Sequence, residues 1–421
     1  MYSLQQRKGR LTVSYDDIHA LLGLLIVLWL NAGNARFVVE NIPMIVKLGL
    51  VCFWFLWGIC RHRYFLFQFA TVAWPMILFV MLVFISKTLG QGDYYRLYAN
   101  NFLYILILLA VFVYYYFYGK QRQRKLILAA YVIDMAVVSV RTLYELTTNP
   151  IVVRAISTGA EQQATLLDEI PVGIGGYGFC YALVFGTILI TMLPELLKKH
   201  AWVKIAACGV ILVLLFEAQI TMAFLALIAV IVLSFFVGKK RSAWRILGVG
   251  CGVALLVVFF MSYETILDWA IGIADESMAQ RLHEIKIFFQ TSGEVAGSDM
   301  TSRWRLYTQS LDAFLAHPVY GSFGAQEFGC HSSFLDMLGA YGIFGALGIW
   351  GILSPYAVMR KYLLPEYRRI AFISLLTISV LAIVNVMHSS EIMVAFLVVI
   401  PLSLRYFSEK EQTKGYEGCP N

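Results

Sequence analysis

Two arginines and a histidine have residue types and positions suited to chemistry on an anionic substrate. Arg303 and Arg305 flank Trp304 at the start of a polar stretch, and His331 opens a long apolar segment after a loop that contains glycines. A guanidinium group binds phosphate through paired hydrogen bonds and stays charged at physiological pH. An imidazole accepts a proton near neutral pH, which suits the activation of a hydroxyl group. These residues therefore indicate anion binding next to acid–base chemistry.

The same residues also have a structural interpretation. Arg303 and Arg305 fit a solvated helix face that touches lipid head groups, and His331 fits a residue that caps the following helix. Asp336 follows His331 by five residues in an apolar segment, so it needs a partner, either Arg303 or a group on a neighbouring helix. Spacing alone favours the structural interpretation, and the choice depends on the elements that position these side chains.

Those elements are the helices of a polytopic membrane protein. The chain has 421 residues, of which 60% are hydrophobic and only 14% are charged, and a soluble protein of this length could not bury so much apolar side chain. A bilayer crossing needs roughly 20 apolar residues. The sequence thus predicts an all-α fold with twelve transmembrane helices, at 18–33, 43–60, 65–86, 101–119, 126–146, 172–193, 201–217, 220–237, 246–263, 332–354, 370–387 and 391–407.

The placement of basic residues orients these helices. Lys and Arg are enriched in cytoplasmic loops, and here they concentrate in alternate connections of the predicted arrangement. The apolar run 201–237 has basic clusters at both ends, so we expect a hairpin that turns near Glu217. Both termini are predicted to be cytoplasmic, which puts Arg303 and Arg305 among the few basic residues outside.

This topology divides the chain into four parts. The first nine helices occupy 1–263, an extracytoplasmic loop with amphipathic helices occupies 264–330, the last three helices occupy 331–407, and a cytoplasmic tail occupies 408–421. Arg141 and Glu145 lie four residues apart on the fifth predicted helix and can face each other there. They form either a structural ion pair near the outer surface or part of a substrate site.

Between Ser302 and Gly345 the chain resembles the bacterial O-antigen polymerase (Wzy-type) and O-antigen ligase superfamily of polytopic membrane glycosyltransferases. The residues that carry the resemblance are, in order, Ser302-Arg303-Trp304, His317-Pro318, Gly321-Ser322-Phe323-Gly324, His331-Ser332-Ser333-Phe334-Leu335 and Gly342-Ile343-Phe344-Gly345. The order and spacing of these motifs agree with the family. About twelve helices with the largest outer loop between the ninth and tenth also agree, and elsewhere the match is one of hydropathy.

Two departures from the family pattern favour a polymerase over a ligase. Ser332 stands where ligases commonly have asparagine, and the hairpin tip at 217–221 lacks the arginine that many members carry. If the family's second phosphate-binding arginine is needed, it must come from elsewhere, from Arg141, Arg154 or Arg305.

The resemblance implies a metal-independent, inverting glycosyl transfer without a cofactor, at the outer face of the bacterial inner (plasma) membrane. The donor would be a glycan on undecaprenyl pyrophosphate, and the acceptor another lipid-linked repeat unit of O-antigen or capsule. The implied catalytic residues are Arg303, which stabilises the leaving pyrophosphate, and His331, which orients or deprotonates the acceptor hydroxyl. The implied substrate-binding residues are Arg305, Arg141, Arg154, Trp304 and Tyr320.

Two other functions stay open at this point. One is an O-antigen ligase that transfers finished polymer to a lipid A core. The other is a transporter, in particular a flippase for lipid-linked oligosaccharides, which should have charges along a central cavity and short outer loops. The expected partners are the lipid-linked glycan and membrane lipid, with or without a chain-length regulator, and no nucleic acid.

Overall fold

The computed structural model describes residues 14–31, 42–89, 94–150, 152–153, 173–193, 201–237, 264–273, 276–291, 299–323, 325, 328 and 331–417. Within these ranges the chain forms helices joined by turns, and they contain no strand. The predicted all-α fold class is therefore confirmed.

In chain order the described helices are α1 (Tyr15–Leu30), α2 (Met44–Arg61), α3 (Phe65–Thr88), α4 (Tyr94–Phe117), α5 (Gln121–Thr148), α6 (Tyr177–Met192), α7 (Ala201–Glu217), α8 (Thr221–Val237), α9 (264–273), α10 (Glu276–Thr291), α11 (Asp299–Ala316), α12 (Ser333–Tyr341), α13 (Gly345–Met359), α14 (Pro365–Val384), α15 (Ser390–Met393) and α16 (Ile400–Glu417). A 3-10 turn at Gly342–Phe344 joins α12 to α13. A π-helical turn at Val394–Val399 joins α15 to α16.

Seven helical stretches in the described part of the chain are long and apolar enough to cross a membrane. They are Met44–Arg61, Phe65–Thr88, Asn100–Phe117, Gln121–Thr148, Ser333–Met359, Pro365–Val384 and Ser390–Gln412, and they match the second to fifth and tenth to twelfth predicted helices. The helices α1, α6, α7 and α8 have 16 or 17 residues, fewer than the roughly 20 of a full crossing. The ninth predicted helix, 246–263, lies outside the described residues, so the count of twelve and the orientation stay predictions.

The outward-facing side chains of these helices are apolar. Phe53, Phe67, Val140 and Phe372 are all more than half exposed, and many other large hydrophobic side chains share this position. Exposed apolar surface of this extent is unfavourable in water and favourable against lipid. The chain is therefore a membrane protein.

The predicted hairpin near Glu217 is confirmed. Helix α7 ends at Glu217, α8 begins at Thr221, and the two helices pack against each other. Gln219 in the turn between them has a φ of 54°, in the left-handed region.

Helix α4 and the continuous stretch from α15 to α16 lie at the centre of the bundle. About two thirds of the apolar part of α4 (67%) and nearly three quarters of Ser390–Gln412 (72%) are buried. The wide π-helical turn interrupts the regular hydrogen-bond ladder of the last stretch. A tyrosine of α13 supports that turn, because Tyr356 donates to the Phe396 carbonyl at 2.9 Å and its ring stacks on the Phe396 ring at 4.4 Å.

Ion pairs hold the starts of α1 and α5 together. The Asp16 carboxylate of α1 lies 2.5 Å from the Lys120 ammonium and 3.5 Å from the Arg61 guanidinium. The hydrogen bond from Lys120, with the positive charge of Arg61, lowers the pKa of Asp16 below its usual value. Asp17 pairs in the same way with the exposed Arg122 at 3.8 Å.

The loop that follows α11 folds back onto the end of α12. Gly321 and Gly342 have φ values of 62° and 57°. A Cβ on Gly321 would lie 2.5 Å from the Gly339 carbonyl oxygen, and one on Gly342 would lie 2.5 Å from the Pro318 carbonyl oxygen. The Ser322 amide donates to Gly339 at 2.9 Å. These motif glycines therefore allow two stretches of backbone to touch.

We expect Gly342→Ala to destabilise the protein by about 2 kcal/mol or more, because alanine is strained at positive φ and its methyl group meets backbone. The unfolding midpoint of the purified protein in detergent, followed by tryptophan fluorescence, measures this loss. Gly209→Ala in α7 is the matched control, since a Cβ there meets nothing within 4 Å. Equal midpoints for the two variants would contradict the docking role of Gly342.

Candidate functional site

The predicted site residues of the large loop lie on or near α11. Helix α11 packs mainly along α12 and also contacts α10. The backbone of Arg303 belongs to α11, while its side chain lies outside the described side chains, and Arg154 lies outside the described residues altogether. Arg305 and Trp304 are exposed on the same helix, with 56% of Trp304 accessible.

A polar groove of about 450 Å³ runs along α11. Its lining residues are Arg305, Thr308, Gln309, Asp312, Ala313, Ala316, His317 and Ser322, and we call it the α11 groove. At its far end the His317 ring stacks on Tyr320, with centroids 5.3 Å apart and planes at 20°. The Tyr320 hydroxyl lies 3.4 Å from His317 Nδ1. The predicted phosphate ligand Arg305 thus lines the groove, and the predicted sugar-stacking ring of Tyr320 packs on His317, another lining residue.

The proposed general base lies at the start of α12. His331 is half-buried and precedes Ser332, the N-cap of the helix. The Ser332 hydroxyl accepts a hydrogen bond from the Leu335 amide at 3.1 Å, as a serine N-cap does. The capping role, which was one structural interpretation of His331, is therefore filled by Ser332.

The start of α12 is bonded to the non-helical break at 385–389 between α14 and α15. Ser333 accepts a hydrogen bond through Oγ from the Met387 amide at 2.8 Å, and its own amide donates to the Asn385 carbonyl at 3.1 Å. The same Oγ lies 3.3 Å from Nδ1 of the buried His388. The residues after His331 therefore hold a bend of the chain at the end of α14.

Two more side chains secure this bend. The Tyr307 hydroxyl of α11 donates to the Val384 carbonyl at 2.9 Å. The Asn385 side chain donates from Nδ2 to the buried Tyr181 hydroxyl of α6 at 2.6 Å. Three separate elements, α6, α11 and α12, thus converge on the end of α14.

Asp336 connects α12 to α11. It is 3% exposed, and the Ser310 hydroxyl donates to its Oδ1 at 2.6 Å. A Cβ on Gly339 would lie 2.6 Å from the Ser310 carbonyl oxygen, so the glycine lets the two helices approach. Of the two partners that the sequence offered for Asp336, Arg303 or a group on a neighbouring helix, the structure shows the second in Ser310 of α11.

An apolar crevice of about 120 Å³ opens beside the first turn of α12. It lies between α12, α13, α14 and α15 and is lined by Ser333, Phe334, Met337, Ile349, Ile352, Leu353, Ile378, Ser379, Ala382, Ile383, Met387 and Met393. Ser333, two residues after His331, lies at its polar edge. We call this feature the apolar crevice.

Arg141 lies on a different part of the bundle. It is exposed on α5, whose main packing partners are α1, α7 and α16. Asp134, on the same helix, is buried and accepts a hydrogen bond from the Asn31 amide at 2.8 Å. The principal helix contacts do not bring α5, which carries Arg141, to α11.

The residues around His388 that contact the start of α12 were not identified from the sequence. The triplet His388-Ser389-Ser390 repeats the residue order of His331-Ser332-Ser333, and each triplet immediately precedes or begins a helix. The repeated His-Ser-Ser order could have been recognised in the sequence. The contact between the two triplets, through Ser333 and His388, required the fold.

No three His, Cys, Asp or Glu side chains gather as metal ligands in the part of the chain that the structure describes. The chemistry available there consists of a guanidinium group in a polar groove and an imidazole at a helix start. Such a set binds an anion and transfers a proton.

Comparison with known proteins brings no relative to this site. No family model matches the chain, and no curated protein matches it in sequence. The family resemblance accordingly stays a prediction that depends on the residues between Ser302 and Gly345.

We expect Ser333→Ala to lower the free energy of unfolding by about 1–3 kcal/mol, because it leaves the Met387 amide buried without its acceptor. Thermal unfolding in detergent measures the loss. Ser379→Ala is the matched control, since Ser379 also lines the crevice but bonds only within its own helix, to the Leu375 carbonyl at 2.8 Å. A Ser333→Ala midpoint equal to that of the control would show that the bend does not depend on this bond.

Proposed function

We propose that this protein is a polysaccharide repeat-unit polymerase that joins undecaprenyl-pyrophosphate-linked oligosaccharides of O-antigen or capsule. The proposal depends on one observation. A polar groove and an apolar crevice lie along two helices, α11 and α12, that are hydrogen-bonded to each other. The groove lies on α11 with Arg305, the crevice is lined partly by α12, and the Ser310–Asp336 bond ties the two helices together.

A lipid-linked glycan has the same division into polar and apolar parts. Its sugars and pyrophosphate suit a groove with an arginine, a histidine and an exposed tyrosine ring. Its isoprenoid chain suits the crevice, which holds a short stretch while the rest of the chain lies in the bilayer. His331 lies two residues before α12, the helix that lines the crevice and bonds to α11, and we assign the bond between sugar and pyrophosphate to its neighbourhood.

The reaction that we assign is a single displacement at the anomeric carbon. The acceptor hydroxyl oxygen forms the new glycosidic bond while the bond from that carbon to the pyrophosphate oxygen breaks. The hydroxyl proton passes to the His331 imidazole. Arg303 and Arg305 stabilise the negative charge that develops on the leaving pyrophosphate, as positioned cations do without a metal ion. Attack opposite the leaving group inverts the anomeric configuration.

Ser332 at the N-cap of α12 does not help to choose between a polymerase and a ligase. Asparagine and serine are equally good N-caps, so an asparagine at 332 would make the same bond to Leu335. Ser332 therefore does not separate the two activities, and the polymerase assignment depends on the hairpin tip at 217–221, which lacks arginine.

The flippase alternative has less support from the bundle centre. A transporter of a charged glycan needs a polar path between its central helices. The central stretch from 394 to 402 instead buries apolar side chains almost continuously. We place the reaction at the outer face of the inner (plasma) membrane, where the charge pattern puts the loop that carries α11.

We expect His331→Ala and Arg303→Ala to abolish polymerisation while leaving expression and folding intact. Purified wild-type protein in lipid vesicles, given lipid-linked repeat units, should produce a ladder of chain lengths on a gel. Loss of the base should lower the rate by about 10²–10⁴-fold, which reduces the ladder to single units. Arg122→Ala is the matched control, because that side chain is 81% exposed and lies in the first turn of α5, at the end that is predicted to be cytoplasmic.

Two outcomes of this assay would overturn the assignment. An unchanged ladder in His331→Ala or Arg303→Ala would remove that residue from the reaction. Transfer of preformed polymer to a lipid A core in one step, without a ladder, would establish the ligase activity.

We also expect the ladder to persist in excess EDTA, because guanidinium groups take the place of a metal ion at the pyrophosphate. The rate of repeat-unit consumption with and without the chelator measures this. A loss of activity that Mg²⁺ or Mn²⁺ restores would contradict the metal-independent mechanism.

A further inference from the structure

Two arginines share one carboxylate at the opposite end of the bundle from His331. Arg124 of α5 donates from Nη2 to Glu409 at 2.6 Å, and Arg405 Nε lies 2.7 Å from the other carboxylate oxygen of Glu409. Arg405 and Glu409 are both on α16, one turn apart. Along the helix from His388 to this cluster the distance is on the order of 25 Å, roughly the depth of a membrane.

Arg124 is deeply buried and only partly satisfied. The residue is 4% exposed, and its Nε and Nη1 atoms are buried and have no hydrogen-bond acceptor among the residues that the structure describes. The charged side chains that act on it are Glu409 and Arg405. A buried guanidinium with open donors is unfavourable. Two positive charges against one negative charge therefore leave the cluster one anion short.

The other ion pairs at this end differ from this cluster. The cations that pair with Asp16 and Asp17 of α1 have side chains that are 57–81% exposed, so water solvates their remaining donors. Only around Arg124 does the described structure combine an excess of positive charge with burial.

The cluster lies toward the ends of two helices that are long and apolar enough to span a membrane, where lipid head groups are expected. Arg124 is in the first turn of the spanning helix Gln121–Thr148, and Arg405 is near the end of the stretch Ser390–Gln412. The Arg405 guanidinium lies 5.6 Å from the Tyr116 ring and 6.0 Å from the Tyr362 ring. Tyrosines and basic residues in this position are typical of the membrane interface.

We propose that the Arg124–Arg405–Glu409 cluster binds the phosphate of an anionic phospholipid head group. The phosphate supplies the missing negative charge beside the buried Arg124 and accepts hydrogen bonds from the Arg405 guanidinium, a group that favours phosphate. The approach is through Arg405 and Glu409, whose side chains are 25% and 27% exposed. Neighbouring basic residues of the same end, Lys125 and Lys410, add long-range attraction for an anionic surface.

The experiment compares thermal unfolding of the full-length protein in three settings. These are phosphatidylcholine vesicles, the same vesicles with phosphatidylglycerol, and phosphatidylcholine vesicles with inorganic phosphate in the buffer. We expect phosphatidylglycerol to raise the unfolding midpoint by a few degrees, since a ligand that binds the folded state stabilises it. If phosphatidylglycerol does not raise the unfolding midpoint, the proposal is wrong. If inorganic phosphate alone raises the midpoint equally, the ligand is a soluble anion and not a lipid.

The variant Arg124→Met distinguishes between two interpretations of the cluster, an anion-binding site and a purely structural salt bridge. It leaves Arg405 and Glu409 as a balanced pair, so we expect the midpoint in phosphatidylcholine to change little and the response to phosphatidylglycerol to disappear. A purely structural bridge predicts a lower midpoint in both lipids with the response retained, which would overturn the proposal.

Two further variants complete the test. Arg405→Met keeps the Arg124–Glu409 bond and should also lose the lipid response, which covers the case in which Arg124→Met does not fold. Arg122→Met removes an exposed arginine from the same helix turn and should keep the full response. Loss of the response in Arg122→Met would show that general surface charge, and not this cluster, attracts the lipid.

Discussion

A polypeptide that bends within a membrane protein must satisfy its backbone polar groups from inside the protein, because lipid offers no hydrogen bonds. The bend at 385–389, between α14 and α15, meets this constraint with groups from three other elements. Ser333 accepts from the Met387 amide, Tyr307 donates to the Val384 carbonyl, and Tyr181 holds the Asn385 side chain. The residues next to His331 are therefore also those that close the bundle at this end.

This arrangement explains why the motif residues occur together along the chain. The glycines at 321, 339 and 342 let the loop and α11 approach α12, and the Ser310–Asp336 bond fixes the two helices against each other. His331 lies two residues before the first residue of α12, so the position of this helix determines where the His331 backbone lies. In the proposed polymerase the groove, the crevice and the imidazole thus depend on one set of backbone contacts.

Buried polar groups occur at both ends of the bundle. Near His331, Asp336 accepts a hydrogen bond from the Ser310 hydroxyl, and the Asn385 side chain donates to the Tyr181 hydroxyl. At the other end Arg124 keeps open donors in a buried cluster with Arg405 and Glu409. In the lipid-binding proposal, a head-group phosphate at the membrane surface balances the positive charge of this cluster.

Sequence alone determined the all-α membrane class, seven helices that match predicted crossings, and the hairpin at Glu217. Long apolar runs and the placement of Lys and Arg carry that information locally, since each helix must be apolar over its own length to lie in lipid. The same reasoning identified His331, Arg305 and Tyr320 as chemically suited residues. It could not assign the helix cap to Ser332, because the choice between the two neighbours depends on backbone geometry.

Only the tertiary structure decided which distant groups meet. The Ser333–His388 contact joins residues that are 55 positions apart, and the Arg124–Glu409 bond joins residues that are 285 positions apart. No local pattern encodes such pairs, because hydrophobic periodicity shows which face of a helix is buried and not which helix covers it. The sequence therefore specified the helices and the chemistry of single residues, and packing specified the groove, the crevice and the buried arginine.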